Sequence, residues 1–314
     1  MSAVLEAPMN AAAQQAQLLA GQLSAASVVR ANEPLAKRTT LRVGGPADLY
    51  VEPASEADLA ATLRFAAEQT LPFFVLGRGS NLLIRDGGVR GIVICLAQPH
   101  FTRIEVDGLP MRCGAGAKLK DVANEAKRNG IAGLEFLEGI PGCVGGALRM
   151  NAGAYGGAMF EVIESLRFMD FAGAAQDVPA ERIQVSYRSC PFFKSHIALG
   201  AVLKGRPGER AAIEQRMAEC SQKRWSSQPK APSAGCAFKN PAAIPAGRLV
   251  EELRLKGTRV GGAMVSLEHG NFIVTDNTAT ARDVLELMEL IKQRAQAERG
   301  IALETEVQII GSDV

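Results

Sequence analysis

Two glycine-rich stretches carry the residue types and spacings best suited to chemistry. Gly77-Arg78-Gly79-Ser80-Asn81 directly follows the apolar run Phe73–Leu76. Glycine lets the backbone take φ > 0 and lets a ligand come close. Successive N–H groups in such a turn can form an anion-binding nest, although the pentapeptide alone also reads as an ordinary tight turn. The second stretch gathers Gly139-Ile140-Pro141-Gly142, Gly145-Gly146 and Asn151-Ala152-Gly153-Ala154-Tyr155-Gly156 into one segment. Each glycine costs ordering entropy, so this density suits a loop that offers many backbone donors to a phosphate-bearing ligand, a diphosphate above all. The standard dinucleotide fingerprint is not met: Leu82 and Leu119 stand where the third glycine of G-x-G-x-x-G belongs after Gly77 and Gly114. That argues against a Rossmann site, and no P-loop pattern occurs.

Other chemistries are excluded by composition. The six cysteines (Cys95, Cys113, Cys143, Cys190, Cys220 and Cys236) are scattered without a C-x-x-C pair. Reduced thiols fit this better than a disulfide scaffold. His100, His196 and His269 lie far apart, so no metal site is expected. A net charge of +2 and 5% aromatic residues give no footprint for nucleic acid. No stretch reaches the roughly 20 apolar residues that a membrane helix needs. Met1 to Leu19 has Glu6 and no basic residue, unlike a secretory signal. The expectation is a cytoplasmic protein with no membrane attachment.

The elements that must position these loops follow from pattern. At 314 residues and 47% hydrophobic content the chain can build two cores. Leu19 and Leu23 sit at i,i+4, compatible with a helix in an otherwise variable N-terminal extension. Asp48–Val51 reads as a strand. Ser55 can cap a helix over Glu56–Glu68, with Asp58 answering the cap. Phe73–Leu76, Leu82–Arg85, Gly91–Leu96 and Met111–Gly114 read as strands, and Lys118–Asn129 as a helix. Gly130–Gly157 has no sustained period, and loops this long tend to be functional. Val162–Asp170 returns to strand. A Gly/Pro break at Gly205–Gly208 suggests a domain boundary. Beyond it, Ala211–Trp225 and Ala246–Leu253 read as helices, and Val260–Val265 and Phe272–Val274 as strands. Thr280–Gly300 is the best helix, with an apolar stripe at Val284, Leu287, Leu290 and Ile291. Leu303–Ile310 reads as a final strand.

Seven ordered elements then resemble the UDP-N-acetylenolpyruvoylglucosamine reductase family. They are Thr39–Asp48, Leu76–Asn81, Gly139–Gly156, Ser186-Tyr187-Arg188-Ser189, Gly235–Pro241, Leu255–Ala263 and Leu303–Val307, collinear from about Pro34 to Gly311. The resemblance implies an α+β chain: an FAD-binding fold of the vanillyl-alcohol-oxidase (PCMH) type over 34–205, a smaller substrate-binding domain over 206–314, and an N-terminal extension over 1–33. FAD and NADPH are the implied cofactors, and the substrate is a small molecule, a UDP-sugar enolpyruvyl ether, handled by a monomer. Gly77, Arg78, Gly79, Ser80, Asn81, Gly139, Ile140, Pro141, Gly142, Gly145, Gly146, Asn151, Gly153, Ala154 and Tyr155 are assigned to the flavin. The short interval from Tyr187 to Gly235 resembles the family's second type, which lacks a substrate-gripping insertion.

The implied reaction passes a hydride from NADPH through FAD to C3 of the enolpyruvyl group, while C2 gains a proton. It needs a cation for the substrate carboxylate, a positioned acid and a dry flavin face. By resemblance Arg188 is the cation, and its fork suits a carboxylate. Cys236 stands where the family has a proton-donating serine. A thiol, with an ordinary pKa of about 8.5, can donate at neutral pH, although a lone Cys can equally be a small buried hydrophobe. Glu306 matches the family's catalytic glutamate, but Glu304 would share its face in a regular strand, so spacing leaves both open. Tyr187, Lys239 and Asn240 are assigned to substrate, and His269 and Asn271 are possible pocket residues only. Rival readings are an oxygen-using flavin oxidase on the same fold and a non-catalytic nucleotide- or flavin-binding module.

Overall fold

A computed structural model describes the backbone of residues 3–313 and the side chains of residues 11–313. The chain forms two compact units that interleave in sequence. The first takes the chain up to Asn32, Leu49–Arg78 and Gly91–Lys223; the second takes Glu33–Asp48, Gly79–Arg90 and the chain from Arg224 onward.

In the first unit, the helix Glu56–Glu68 starts as its sequence predicts. Ser55 Oγ accepts from Asp58 N at 3.1 Å, and the helix buries Leu59, Leu63, Phe65 and Ala66. The strands Phe73–Leu76 and Val89–Cys95 pair in parallel, with Leu76 opposite Cys95. They belong to a four-stranded sheet that also holds Val28–Pro34 and Pro46–Glu52. An antiparallel sheet of five strands follows, in the order Ala175–Pro179, Ile163–Asp170, His196–Lys204, Pro110–Gly114, Ile104–Val106. The helix Leu119–Arg128 buries Leu119, Val122, Ala123 and Ala126, the i, i+3, i+4, i+7 stripe of an amphipathic helix. The aperiodic segment 130–157 is built from short pieces: a 3₁₀ turn at Glu135–Gly139, a helix at Val144–Arg149, and a hairpin of Gly153–Ala154 with Gly157–Ala158.

The N-terminal segment is part of this unit rather than an appendage. Its helix spans Ala3–Ala20, and Leu19 is fully buried in the unit's core. Leu23, the other half of the i,i+4 pair, lies beyond the helix end. Asp58 then ties the chain down, accepting from Ser24 N at 2.8 Å and from Ser24 Oγ at 2.8 Å.

In the second unit, Ser233–Cys236, Phe272–Thr275, Ala263–Val265 and Arg259–Val260 form an antiparallel sheet. The helix Ala281–Arg299 covers the unit's core with Val284, Leu287, Met288, Ile291 and Ala295. Thr280 and Asp283 close its start as a capping box, and Gly300, at φ 65°, ends it. Gln308–Ile310 pairs in parallel with Leu82–Ile84.

The compact units cut the chain differently from a linear division at 205/206. Leu41, Val43 and Leu83 bury in the second core beside Phe238, Leu303 and Val307, and Thr275 Oγ1 donates to Leu41 O at 2.6 Å. Conversely, Ile213 and Met217 of the helix Arg210–Ser227 bury in the first core, so the spatial transition comes inside that helix. Hydrophobic burial, not the Gly/Pro break, sets the division. The expected strand over Leu303–Ile310 is shortened to Gln308–Ile310. Residues 303–306 form only one isolated bridge, Thr305 with Phe238.

Asp58 provides a test of how the N-terminal segment is held. Burial opposes its charge, but hydrogen bonds from Ser24 and Ser55 outweigh that and hold its carboxyl below the usual carboxylate range. A lowered native pKa adds stability that is present at neutral pH and is lost as pH falls through the native value. Asp58→Asn should cost about 1–3 kcal/mol at pH 7. In urea titrations the gap between variant and wild type should close as pH drops below about 4.

Candidate active site

The glycines expected to hold a diphosphate divide by what surrounds them. At Gly77 a Cβ would lie 2.9 Å from Cys143 Sγ, so this glycine makes room for the residue that opens the helix Val144–Arg149. Gly79 has φ +61°, and a Cβ there would meet Arg38 O at 2.7 Å. Both the left-handed backbone and the close approach demand glycine. Gly153 is different. Its φ is not positive, and it is glycine because the returning hairpin strand brings Gly157 O to 2.7 Å from any Cβ. Gly139 lies under the Tyr155 ring, with Tyr155 Cε2 only 2.1 Å from where a Cβ would sit. Several glycines are therefore explained by packing of the protein on itself.

Fewer backbone donors are open than the glycine count suggests. Val144 N and Gly145 N donate to Ala117 O and Ala115 O at 2.9 and 2.8 Å. Two features point outward from these loops and a third lies buried beneath them. Arg78 is exposed. Gly146 is exposed, and a Cβ on it would have only Cys143 Sγ within reach, at 3.8 Å. Glu138 precedes Gly139 and pairs through Oε1 with Lys120 at 3.1 Å, while its Oε2 is buried without a hydrogen-bond partner. A cation, an unhindered backbone face and an unmet buried acceptor match the diphosphate and the hydroxyl and N–H donors of a flavin dinucleotide. The residues present fit FAD.

The Tyr-Arg element is a tight turn in the first unit. Ser186 and Ser189 exchange both backbone hydrogen bonds, N to O at 2.9 and 3.1 Å, leaving Tyr187 and Arg188 at the tip. Arg188 has φ 56°, rare for a residue with a side chain. Its guanidinium carbon lies 4.9 Å from the centre of the Tyr187 ring, which is 63% exposed. Asn151 fastens this turn to the glycine-rich segment. Its Nδ2 donates to Ser186 O at 3.3 Å and its Oδ1 accepts from Phe160 N at 3.2 Å. The Asn151 side chain, expected at the flavin, is thus committed to the protein. Asn151 and Tyr155 also have positive φ, 39° and 53°. Non-glycine residues in that region cluster at functional sites, and no sequence pattern announces them.

In the second unit, Cys236 ends the strand Ser233–Cys236 at an irregularity, with Gly235 at φ 77° and Cys236 opposite Phe272. The chain then runs beside residues 304–306: Glu306 N donates to Ala237 O at 2.9 Å and Lys239 N to Glu304 O at 2.9 Å. Cys236 and Glu306 are brought together on neighbouring backbone segments. Because 304–306 is not regular strand, the two glutamates do not share an environment. Glu304 is 76% exposed and paired with Lys239 Nζ at 3.0 Å, whereas Glu306 is half-buried. Asn81 Nδ2 donates to Glu306 O at 3.2 Å, so its side chain secures Glu306. Asn240 Oδ1 accepts from Ala246 N at 3.0 Å, at the start of the helix Ala246–Glu252. Arg188 belongs to the first unit and Cys236 and Glu306 to the second. Asn271, only a possible pocket residue in the sequence, is 2% exposed and bonds both backbone groups of Phe238. Among the described residues no cluster of His, Cys, Asp or Glu could hold a metal ion, and no helix is long and apolar enough to cross a membrane.

The Asn151 tie has a direct test. Asn151→Ala should free the Tyr187-Arg188 turn while leaving both sheets intact. Trypsin should then cut after Arg188 markedly faster than in wild type, with the melting temperature lowered by only a few degrees for a loss of about 1 kcal/mol. Unchanged cleavage kinetics would mean that the Ser186–Ser189 bridge holds the turn by itself.

Comparison with known proteins agrees with the geometry. Residues 47–178 match the FAD binding domain, and residues 228–310 match the UDP-N-acetylenolpyruvoylglucosamine reductase C-terminal domain. The chain is 45% identical to UDP-N-acetylenolpyruvoylglucosamine reductase 2 of Symbiobacterium thermophilum, over 90% of this chain and 92% of that protein. It is 40% identical to the Clostridioides difficile reductase, over 91% and 94%. The crystal structure of the Thermus caldophilus reductase superposes with a TM-score of 0.81 at 40% identity, covering 91% of this chain and all of that one. The α+β FAD-binding fold is thereby established, and the chain belongs to the UDP-N-acetylenolpyruvoylglucosamine reductase family.

Proposed function

We propose that this protein reduces UDP-N-acetylglucosamine enolpyruvate to UDP-N-acetylmuramate, with NADPH as reductant and FAD as the intermediate carrier, in the cytoplasmic synthesis of peptidoglycan precursors. Cell-wall growth, cell shape and division would depend on that product. The observation that carries the assignment of roles is the hydrogen bond from Glu306 N to Ala237 O at 2.9 Å. It sets the carboxylate-bearing segment directly beside the thiol-bearing one.

When bound, FAD would accept a hydride from NADPH and supply it to C3 of the enolpyruvyl group. Adding a hydride at C3 leaves negative charge at C2, delocalised into the substrate carboxylate. Arg188 would meet that carboxylate with a planar fork of donors, which binds it and stabilises the added charge. Its left-handed backbone, φ 56°, aims the side chain from a two-residue tip rather than along a strand. Cys236 would give its Sγ proton to C2. Glu306, half-buried and held through its backbone by Asn81 and Ala237, would be the fixed carboxylate beside that proton. Tyr187 would cover the substrate. Lys239 and Asn240 would reach the substrate's polar groups, and the exposed Lys239–Glu304 pair is weak enough to exchange partners. Gly77–Asn81, Gly139–Gly142, Gly145, Gly146 and Asn151–Tyr155 would line the flavin, with Asn81 and Asn151 contributing backbone because their side chains bond the protein.

Two experiments test this reading. The purified monomer should be yellow and should bleach with NADPH in the absence of oxygen. It should regain colour when the enolpyruvyl sugar nucleotide is added; peroxide release on air oxidation with turnover of simple alcohols would favour the oxidase reading instead. All the colour should also leave the protein on acid precipitation, since Cys143, the thiol nearest these loops, is buried against Gly77. In the second experiment, Cys236→Ser should keep substantial activity. Cys236→Ala should lose on the order of 10²–10⁴-fold in the step that needs the proton, with oxidation of NADPH almost unchanged. Stopped-flow absorbance separates the two steps. A Cys236→Ala enzyme reacting with substrate at the wild-type rate would show that the thiol is only a packing residue.

A further inference from the structure

The segment that follows Cys236 is held from one side by a single residue. The ladder between Ser233–Cys236 and Phe272–Thr275 ends with Cys236 opposite Phe272. Past that pair, Ala237 and Phe238 have no strand on this side, although both are buried, Phe238 completely. Unmet N–H and C=O groups there would each carry a desolvation cost. Asn271 meets three of these four groups, and Ala237 O accepts from Glu306 N on the other edge. Its main-chain O accepts from Ala237 N at 2.8 Å. Its side-chain Oδ1 accepts from Phe238 N at 2.9 Å, and its Nδ2 donates to Phe238 O at 2.8 Å. A carboxamide has the donor and acceptor of a peptide group, so this side chain continues the ladder by one more residue. Asn271 is itself anchored: its N–H donates to His269 Nδ1 at 3.1 Å, and burial pushes that imidazole below the usual histidine range, towards the neutral form that can accept.

We propose that Asn271 is a positioning residue for Cys236, its amide fixing where the thiol points by locking the backbone of Phe238, two residues further on. The opposite edge of the same segment is locked by Glu304 and Glu306 through their backbones, so Asn271 completes a two-sided clamp on the thiol's anchor. The inference rests on the reading of Cys236 as proton donor. It explains why an amide is needed here: an ionised carboxylate has no donor for Phe238 O, and an alkyl group has neither donor nor acceptor.

The test uses the flavin-loaded enzyme and the variants Asn271→Leu, Asn271→Asp and Cys236→Ala. Reaction of NADPH-reduced enzyme with the enolpyruvyl sugar nucleotide should fall about 10²-fold in Asn271→Leu, the usual effect of displacing a reacting group by an ångström. Oxidation of NADPH should stay near wild type. Asn271→Asp should recover as pH falls, since a protonated carboxyl regains a donor. Glu251, Lys256, His269, Glu304 and Glu306 face this segment in the variant and in wild type, so the profile is read relative to that of wild type. Independently of activity, iodoacetamide should label Cys236 several-fold faster in both Asn271 variants at neutral pH, read by mass spectrometry of the Cys236 peptide.

A wild-type substrate step in Asn271→Leu, or an equal fall in both steps, would overturn the proposal. If Asn271→Leu does not fold, a flat relative profile for Asn271→Asp overturns it. A Cys236→Ala enzyme as fast as wild type would instead refute the proton-donor role. In that case the labelling rate alone decides whether Asn271 holds the segment, with unchanged labelling counting against it.

Discussion

The buried backbone of Ala237 and Phe238 must find its hydrogen bonds inside the second unit, and the placement of Cys236 and Glu306 follows from how it does so. Full burial of Phe238 contributes about 2–3 kcal/mol, but it takes the adjoining peptide groups out of water as well. Those groups are met on one edge by Asn271 and on the other by the backbone of Glu304 and Glu306. Cys236 therefore sits at the end of a segment with no freedom to slide, and Glu306 is fixed by the same pairing. A thiol is a weaker hydrogen-bond former than a hydroxyl, which makes the hold of the backbone on its position matter more.

The first unit solves a similar problem by strain. Asn151, Tyr155 and Arg188 all hold positive φ, at a cost of about 1 kcal/mol or more each. Such conformations persist only where the surroundings over-determine them. Here the hairpin register Gly157 with Ala154, the Ser186–Ser189 exchange and the Asn151 side chain do so together. The outcome is a pair of two-residue tips, Tyr155-Gly156 and Tyr187-Arg188, that present an aromatic ring and a cation from rigid turns. Preorganised donors need no rearrangement when charge develops, which is what the proposed role of Arg188 requires.

Much of this was legible in the chain itself. Ser55 and Thr280 cap the helices they precede, because a hydroxyl followed three residues later by an acid matches the geometry of a helix start wherever it occurs. Of the two reasons a glycine-rich loop allows, a left-handed backbone or a close approach, Gly79 met both. Gly153 did not, because a close neighbour rather than its own torsion demands the missing side chain. The choice between Glu304 and Glu306 was beyond spacing for the same kind of reason: alternation decides faces only in a regular strand, and residues 303–306 are not one.

The sequence by itself determined the longer helices and several strands, the two glycine-rich loops and, through seven collinear elements, the family; it did not show the strand His196–Lys204 or the turn that splits 260–265 into two paired strands. These depend on local chemistry: side-chain periodicity, capping hydroxyls and the torsional freedom of glycine. Only the tertiary structure decided which side chains are committed to the protein, and so which residues are left for ligands. Asn151 and Asn81 read as flavin contacts, yet their amides hold Ser186 and Glu306; Asn271 carried no pattern, yet it satisfies Phe238. The partners lie 35, 225 and 33 residues away. A hydrogen bond between such distant groups is set by how buried surfaces pack, which no local window of sequence contains.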